Sequence, residues 1–459
     1  MTKFANNNVR VCLFLCANLL LLYWQTLSYP FQFDDYNVIV NRSSVHGLPA
    51  WWQSMPSMRP LLKLSYAVNW QLDTQAFYFR CFNLCCHIAT SFLVFVLVKK
   101  LLPFLTKNQA MTSSQLSNIA FLAAILFALH PAHTEVVIYI SSRSTGLMSL
   151  FCLASVTAYL RWLTEKKPTH QLWLAVFCWF AAVLVKEVAL ILPVLLAWIT
   201  YFVAPEKFSQ FSQLGFRQKW LIFTSLLIPL LWVLSIPQTA RLLTQLPHLQ
   251  FEHLVNQPFA HIHYLSKTLW GIGLNIDYSA QLITNMHRIT AGLALVVLVY
   301  LCWRKKKQWP IFCFAVGWWL ICLLPTNSII YRPDLINDRQ IYLASVGMLM
   351  LVSVAMVRAF EYFPKKLSAA LLFLAVFYLG INSWQRSEDY QTETSLWQSS
   401  LRQNRDNARA WNNLGYAYQL AGENAKAKDC YENALLLNPT RSKAIDNLRL
   451  INEDFYFKK

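Results

Sequence analysis

Apolar residues along this chain gather into long runs separated by short polar stretches. The runs fall at about 9–29, 77–98, 115–131, 145–163, 171–185, 188–203, 219–236, 289–303, 309–325, 340–358 and 367–383. Each approaches the ~20 residues that an α-helix needs to cross a bilayer. The pattern therefore predicts an all-α polytopic membrane protein with about eleven spans. The first run, Val9–Tyr29, follows Lys3 and Arg10 as a cleavable signal would. It is long for such a segment, and no small-x-small cleavage site follows, so it reads as a retained spanning helix. One stretch, FAHIHYLSKTLWGIGLNIDYS at 259–279, fits two placements. It enters and leaves on the outer side, or it lies on the surface. If it spans, a second span is missed or the tail is cytoplasmic. Beyond residue 383 the long runs stop, and 384–459 reads as a separate polar helical domain.

Composition agrees with the pattern. Of 459 residues, 56% are hydrophobic and only 14% charged, with a mean hydropathy of +0.35. Eighteen Trp, twenty Tyr and thirty Phe suit aromatic belts at two membrane interfaces. A net charge of +18 raises nucleic acid as a partner, but its distribution excludes that. With the N-terminus in the cytoplasm, the cytoplasmic segments collect eighteen Lys and Arg against three acids, Glu165, Glu206 and Glu361. Basic residues mark the cytoplasmic side, so the charge is a topology signal whose partner is the lipid headgroup. Eleven spans then place the tail outside, in a periplasm or a lumen. Of eleven cysteines, ten lie in or beside apolar runs and only Cys430 lies in the tail. No spacing resembles a disulfide framework or a zinc site, and they read as packing residues.

The same topology sorts the polar motifs. Nine of the twelve acids in 1–383 fall on the outer side. FDDYNVIVNR, 33–42, opens the first outer loop with Asp34 and Asp35. SMRPLLKLSY, 57–66, closes it with Arg59 and Lys63. HPAHTEVV carries His130, His133 and Glu135, and VKEVAL carries Lys186 and Glu187. PTNSIIYRPDLINDRQIYL, 325–343, carries Arg332, Asp338 and Arg339. Each motif has a structural reading: a helix cap, a snorkelling pair, a lipid-phosphate contact. Gathered on one face they point to a site, because charge at membrane depth is costly. His-x-x-His at 130 and 133 beside Pro131 is weak as a metal signal, and no residues form a convincing metal cage. Acid pairs do sometimes hold a divalent ion.

Adjacent carboxylates near Arg and Lys suit transfer of a sugar from a lipid phosphate. Phosphate leaves readily, so no general acid is needed. One carboxylate deprotonates the acceptor hydroxyl, and cations hold the departing phosphate. The second carboxylate raises the basicity of the first by charge repulsion. On this reading Asp34 and Asp35 are catalytic. Arg59, His133, Glu135, Lys186, Glu187, Arg332, Asp338 and Arg339 bind donor phosphate or substrate.

In the tail, residues 407–440 match the repeat pattern W-x2-L-G-x2-Y…A-x3-F…P. Trp411, Leu414, Gly415, Tyr418, Ala427, Tyr431, Ala434 and Pro439 fall in register, with Tyr in the Phe slot. Half units flank it, with Trp397 in the preceding aromatic slot and RSKAIDNLRLI as a cap. One full repeat is short for a free-standing array, so it is expected to dock on the membrane domain or on a partner. Engagement of the protein substrate is the other reading.

The order FDD, RPL, HPAHTE, KE, LLPTNSIIY, DRQIYLASVG and then repeat units resembles the transmembrane and tetratricopeptide-repeat O-mannosyltransferases, over about residues 28–445. The resemblance implies a GT-C fold, a polyprenyl-phosphate sugar donor and inverting transfer. It makes the acidic pair of the first outer loop the catalytic motif, here Asp34–Asp35, with a lean toward Asp34 as the base. Eukaryotic members carry long repeat arrays, and this tail is minimal, which sets the acceptor apart from theirs; the lack of a processed N-terminus and the compact loops suggest a bacterial inner-membrane version, with mannose as the default sugar. The expected acceptor is Ser or Thr of an exported protein. Transfer to a lipid or polysaccharide, transfer of an oligosaccharide, and a non-catalytic scaffold presenting the repeat stay open.

Overall fold

In the computed structural model the described residues are 7–106, 111–165, 169–210, 227, 231, 235, 251–278, 283–327 and 334–457. Among them the secondary structure is helical, with no strand. The helices are α1 Asn8–Tyr23, α2 Leu48–Gln53, α3 Pro60–Leu72, α4 Ala76–Leu105, α5 Ser113–Ala128, α6 Thr134–Ile138, α7 Arg143–Thr164, α8 Thr169–Val185, α9 Leu192–Val203 and α10 Pro205–Gln210. After the next described residues come α11 Phe251–Trp270, α12 Asn285–Lys305, α13 Pro310–Leu323, α14 Ile341–Phe360 and α15 Lys365–Asp389. The tail forms α16 Glu393–Gln403, α17 Ala408–Leu420, α18 Asn424–Leu437 and α19 Ser442–Phe457.

Local chemistry sets the ends. The Asn7 side chain accepts from the first N–H groups of α1, as a cap should. Thr112 and Gln115 form a capping box on α5. The core is built on α4, which packs against α1, α5 and α7. It extends through α7 to α8 and through α5 to α14 and α13.

By length and composition, six helices can cross a membrane, or seven if the bent pair Ser113–Ala128 and Pro131–Ile138 counts as one. Three expected spans are shorter apolar helices, Thr169–Val185, Glu187–Val203 and Pro310–Leu323. The expected span at 219–236 lies outside the described residues apart from three isolated positions. These apolar helices, counted among the described residues, fit an integral membrane protein and leave the count of about eleven unconfirmed. Much of 259–279 is helical: α11, an amphipathic helix, runs to Trp270 and is not a candidate span. It lies against the polar turns, where Thr268 O meets His130 Nε2 at 3.0 Å and Asn337 N–H donates to Tyr264 at 2.8 Å. Gly271 and Gly273 then take φ of +66° and +64° to turn the chain, a conformation that glycine reaches without strain.

The tail sits on this end of the bundle. α15 runs unbroken through residue 384 to Asp389. Arg409 pairs with Asp277 and, at 2.7 Å, with Asp334. Asn407 donates to Asp277 Oδ2 at 3.0 Å. Within the repeat, a Cβ on Gly415 would come within 2.7 Å of the Tyr431 ring, which explains the Gly at that slot.

Candidate functional site

The loop after α1 begins with a 3-10 turn, Trp24–Ser28, and reaches Asp34 and Asp35 by way of Phe33, whose φ is +48°. Two neighbours hold this approach. Buried Arg80 of α4 donates to the carbonyls of Tyr29, Pro30 and Ile138. The Gln32 side chain donates to Tyr390 O at the start of the tail.

The two aspartates have different surroundings. Asp35 is fully buried. Its Oδ1 accepts from Ser141 N–H at 2.8 Å and from Ser141 Oγ at 2.6 Å, and its Oδ2 from Gln32 N–H at 3.2 Å. Burial pushes its carboxyl up to about 6 against the pull of those bonds and of Arg80. Asp34 is half-buried. Its N–H donates to the Tyr139 hydroxyl at 3.1 Å, while no described residue donates a hydrogen bond to its carboxylate. Arg339 lies within electrostatic reach of it.

A chain of charges leads from Asp34 through Arg339 to Glu135, and from there through Lys186 to Glu187 and Arg59. Arg339 donates Nη1 to Glu135 Oε1 at 3.4 Å. Glu135 is 2% exposed, also accepts from Ser142 Oγ, and its Oε2 has no hydrogen-bond partner among the described residues. Arg59 grips Glu187 through Nε at 3.0 Å and Nη2 at 2.6 Å. This leaves its Nη1 unbonded. Lys186 donates to Thr145 Oγ1 at 2.9 Å and lies within reach of both Glu135 and Glu187. Lys63 is half-buried, and burial together with Arg42 and Arg59 pushes its ammonium down to about 8.

Two expected members are turned inward, and a third lies outside the described residues. His133 is fully buried, with Nδ1 on Phe127 O at 2.8 Å and Nε2 on Ser345 Oγ at 3.1 Å. Both ring nitrogens are engaged, so the geometry gives it a packing place rather than a substrate-facing one. Asp338 is also turned inward, accepting from Asn275 N–H and from the Tyr278 hydroxyl, each at 2.8 Å. It ties the turn after α11 to the start of α14. Arg332 lies outside the described residues. Among the described residues no cluster of three or more His, Cys, Asp or Glu gathers as for a metal.

The sequence reading missed Arg80, Arg143 and Arg386, all buried at this end. Arg143 donates to Asn83 Oδ1, Ser65 O and Phe79 O, and lies 4.4–4.7 Å from the ring centres of Phe82 and Tyr66. The signal was present: Arg80 interrupts the apolar run FYFRCFN, and charge inside such a run marks a constrained position.

The family model of the tetratricopeptide repeat matches residues 408–441. A Caenorhabditis elegans protein named as a protein O-mannosyl-transferase is 24% identical, over 95% of this chain and 64% of its own length. The mouse protein O-mannosyl-transferase TMTC3 is 25% identical, over 95% of this chain and 52% of its own. Mouse TMTC2 is 22% identical, over 91% and 61%. The chain thus spans about half to two thirds of the length of these relatives. No solved structure matches. Along nearly its whole length the chain is similar in sequence to proteins named as protein O-mannosyl-transferases, and residues 408–441 match the tetratricopeptide repeat.

Proposed function

We propose that the chain is a glycosyltransferase of the outer membrane face, moving a sugar from a polyprenyl phosphate to Ser or Thr of an exported protein. Mannose is the default sugar, in keeping with the names of the relatives. The N-terminus is cytoplasmic and the repeat lies outside, in the periplasm if the host is a bacterium.

The observation that carries the reading is the unequal setting of the acid pair. Asp35 is buried and held by three donors, while the adjacent Asp34 carboxylate is accessible and without a donor among the described residues. A general base needs an open lone pair within reach of the hydroxyl it deprotonates. Asp34 takes the acceptor proton as the hydroxyl oxygen attacks the anomeric carbon, and the carbon–phosphate oxygen bond breaks on the opposite side of the ring. This inverts the configuration. Asp35 is a positioning residue that fixes the loop. Arg59 and Arg339, each anchored by one carboxylate, present their remaining N–H groups to the departing phosphate, and Lys186 adds charge from behind. Such preorganised cations stabilise the charge that develops on the leaving group.

The test compares glycoproteins exported by three strains: wild type, deletion, and deletion carrying Asp34→Ala/Asp35→Ala at matched protein level. A glycan lost on deletion and not restored by the double variant supports the reading, and its mass and site name sugar and acceptor. Full restoration by the variant would sink the base assignment and favour the scaffold. An unchanged protein glycan profile on deletion would move the search to lipid and polysaccharide acceptors.

A further inference from the structure

At the other end of the bundle lies a cavity that takes no part in the site above. It is a groove of about 580 Å³ between α9, α12 and α13, within the ~300–1,000 Å³ typical of ligand sites. Its walls are apolar, with Trp198 and Tyr201 on α9, Val299 and Trp303 on α12, and Gly317 and Leu320 on α13. Gly317 makes the floor possible, since a Cβ there would collide with the Trp198 indole. Trp198 Nε1 is fixed by donating to Phe314 O at 3.2 Å. One wall is barely supported by protein: α12 has only 6% of its apolar window buried, and Val299 and Trp303 are 47% and 64% exposed.

The groove runs away from the candidate active site. α9 begins just after Glu187, and α13 ends just before Thr326, which shares a small pocket with Lys186 and Gln340. From there α9 extends to Val203, and α13 reaches back to Pro310. The far mouth is closed by Lys306, whose Nζ lies 6.0 Å from the Tyr201 ring centre. Lys306 belongs to the run Arg304–Lys305–Lys306–Lys307. None of these four cations has an ion-pair partner among the described residues, whereas Lys100 pairs with Glu165 and Arg358 with Glu361.

An apolar slot between three apolar helices, ending under four cations with no ion-pair partner among the described residues, has the chemistry of a phospholipid with an anionic head. We propose that this groove holds one anionic phospholipid, with an acyl chain between α9, α12 and α13 and its phosphate at Lys305–Lys307. Cations near the membrane surface favour anionic headgroups by ~1 kcal/mol each, and the acyl chain supplies the packing that α12 lacks. The lipid is structural and sits at the end of the bundle opposite Asp34. The inference stands whether or not the transferase reading does.

The test is native mass spectrometry of the full chain, released from micelles doped with equal phosphatidylglycerol and phosphatidylcholine. We expect one retained phosphatidylglycerol per chain, favoured at least about fivefold over phosphatidylcholine. Lys305→Gln/Lys306→Gln/Lys307→Gln should abolish the preference. Val299→Trp fills the groove without altering charge or topology, and should remove the retained lipid from a protein that still runs as a single species. Equal retention by wild type and both variants would overturn the site. So would exclusive capture of an added polyprenyl phosphate, which would make the groove part of the donor path.

Discussion

The two ends of the helical bundle use the same charged residues in opposite ways. At one end Asp35, Arg80, Glu135, Arg143, Lys186, Asp338 and Arg386 are buried. They are bonded to backbone groups, to hydroxyls and to neighbouring polar or charged side chains. At the other end Arg304, Lys306, Lys307, Lys365 and Lys366 are exposed, and Lys99, Lys100, Arg161 and Arg358 are half-buried. Lysine and arginine counts alone do not separate the two. What separates them is whether water or lipid headgroups can solvate the charge. A solvated charge can be moved at little cost, whereas a buried one must be met by a partner fixed in place. The first kind leaves the local geometry untouched; the second builds it.

Substitutions can break this contrast. The largest effect is expected from Asp34→Asn, which keeps shape and removes the base. Transfer activity should fall about 10²–10⁴-fold with an unchanged melting temperature. A variant that both melts early and loses activity would instead make Asp34 structural.

Arg80→Met should come next. It strands the carbonyls of Tyr29, Pro30 and Ile138 in the interior and leaves Asp35 without its neighbouring cation. A loss of about 3–5 kcal/mol is expected, read as a lowered denaturation midpoint in detergent.

Asp35 gives a pH signature. Its carboxyl in the folded protein is held up at about 6 by burial, above the ordinary value of about 4. The folded state therefore keeps a proton that the unfolded chain releases. The stabilisation, roughly 3 kcal/mol, is complete below about pH 4 and is lost as pH rises through about 6. Asp35→Asn should flatten the fall in melting temperature between these limits. An unchanged slope would assign it to another group.

Arg409→Ala, which unties the tail from Asp277 and Asp334, should cost about 1–3 kcal/mol and speed proteolysis of residues 390–457. The smallest effect belongs to the far end: Lys99→Gln or Lys365→Gln should stay within about 0.5 kcal/mol of wild type.

Much of this was legible in the sequence. The apolar runs marked the long helices because a spanning helix must be apolar over its whole length. The repeat was readable because each slot has a packing reason, as Gly415 against Tyr431 illustrates. Asp34, Arg339, Glu135 and Lys186, drawn from four separate motifs, do come within electrostatic reach of one another in turn. Other features were hidden. Nothing in FDD separates Asp34 from Asp35, since the difference comes from Ser141 and Tyr139, more than a hundred residues away. His133 looked reactive in HPAHTE because sequence does not reveal that Phe127 O and Ser345 engage both nitrogens. Arg80 vanished into its run because averaging over an apolar window hides one charge.

Phe33 ties these observations to the far end of the chain. Its backbone sits in the left-handed region, unfavourable for a bulky residue, and its ring stands edge-on to Trp397 with centroids 5.0 Å apart. Gln32 beside it is tied to Tyr390. The tail therefore acts as a jig for the acid pair. The shape of the loop after α1 is completed only once residues near position 400 have folded against it.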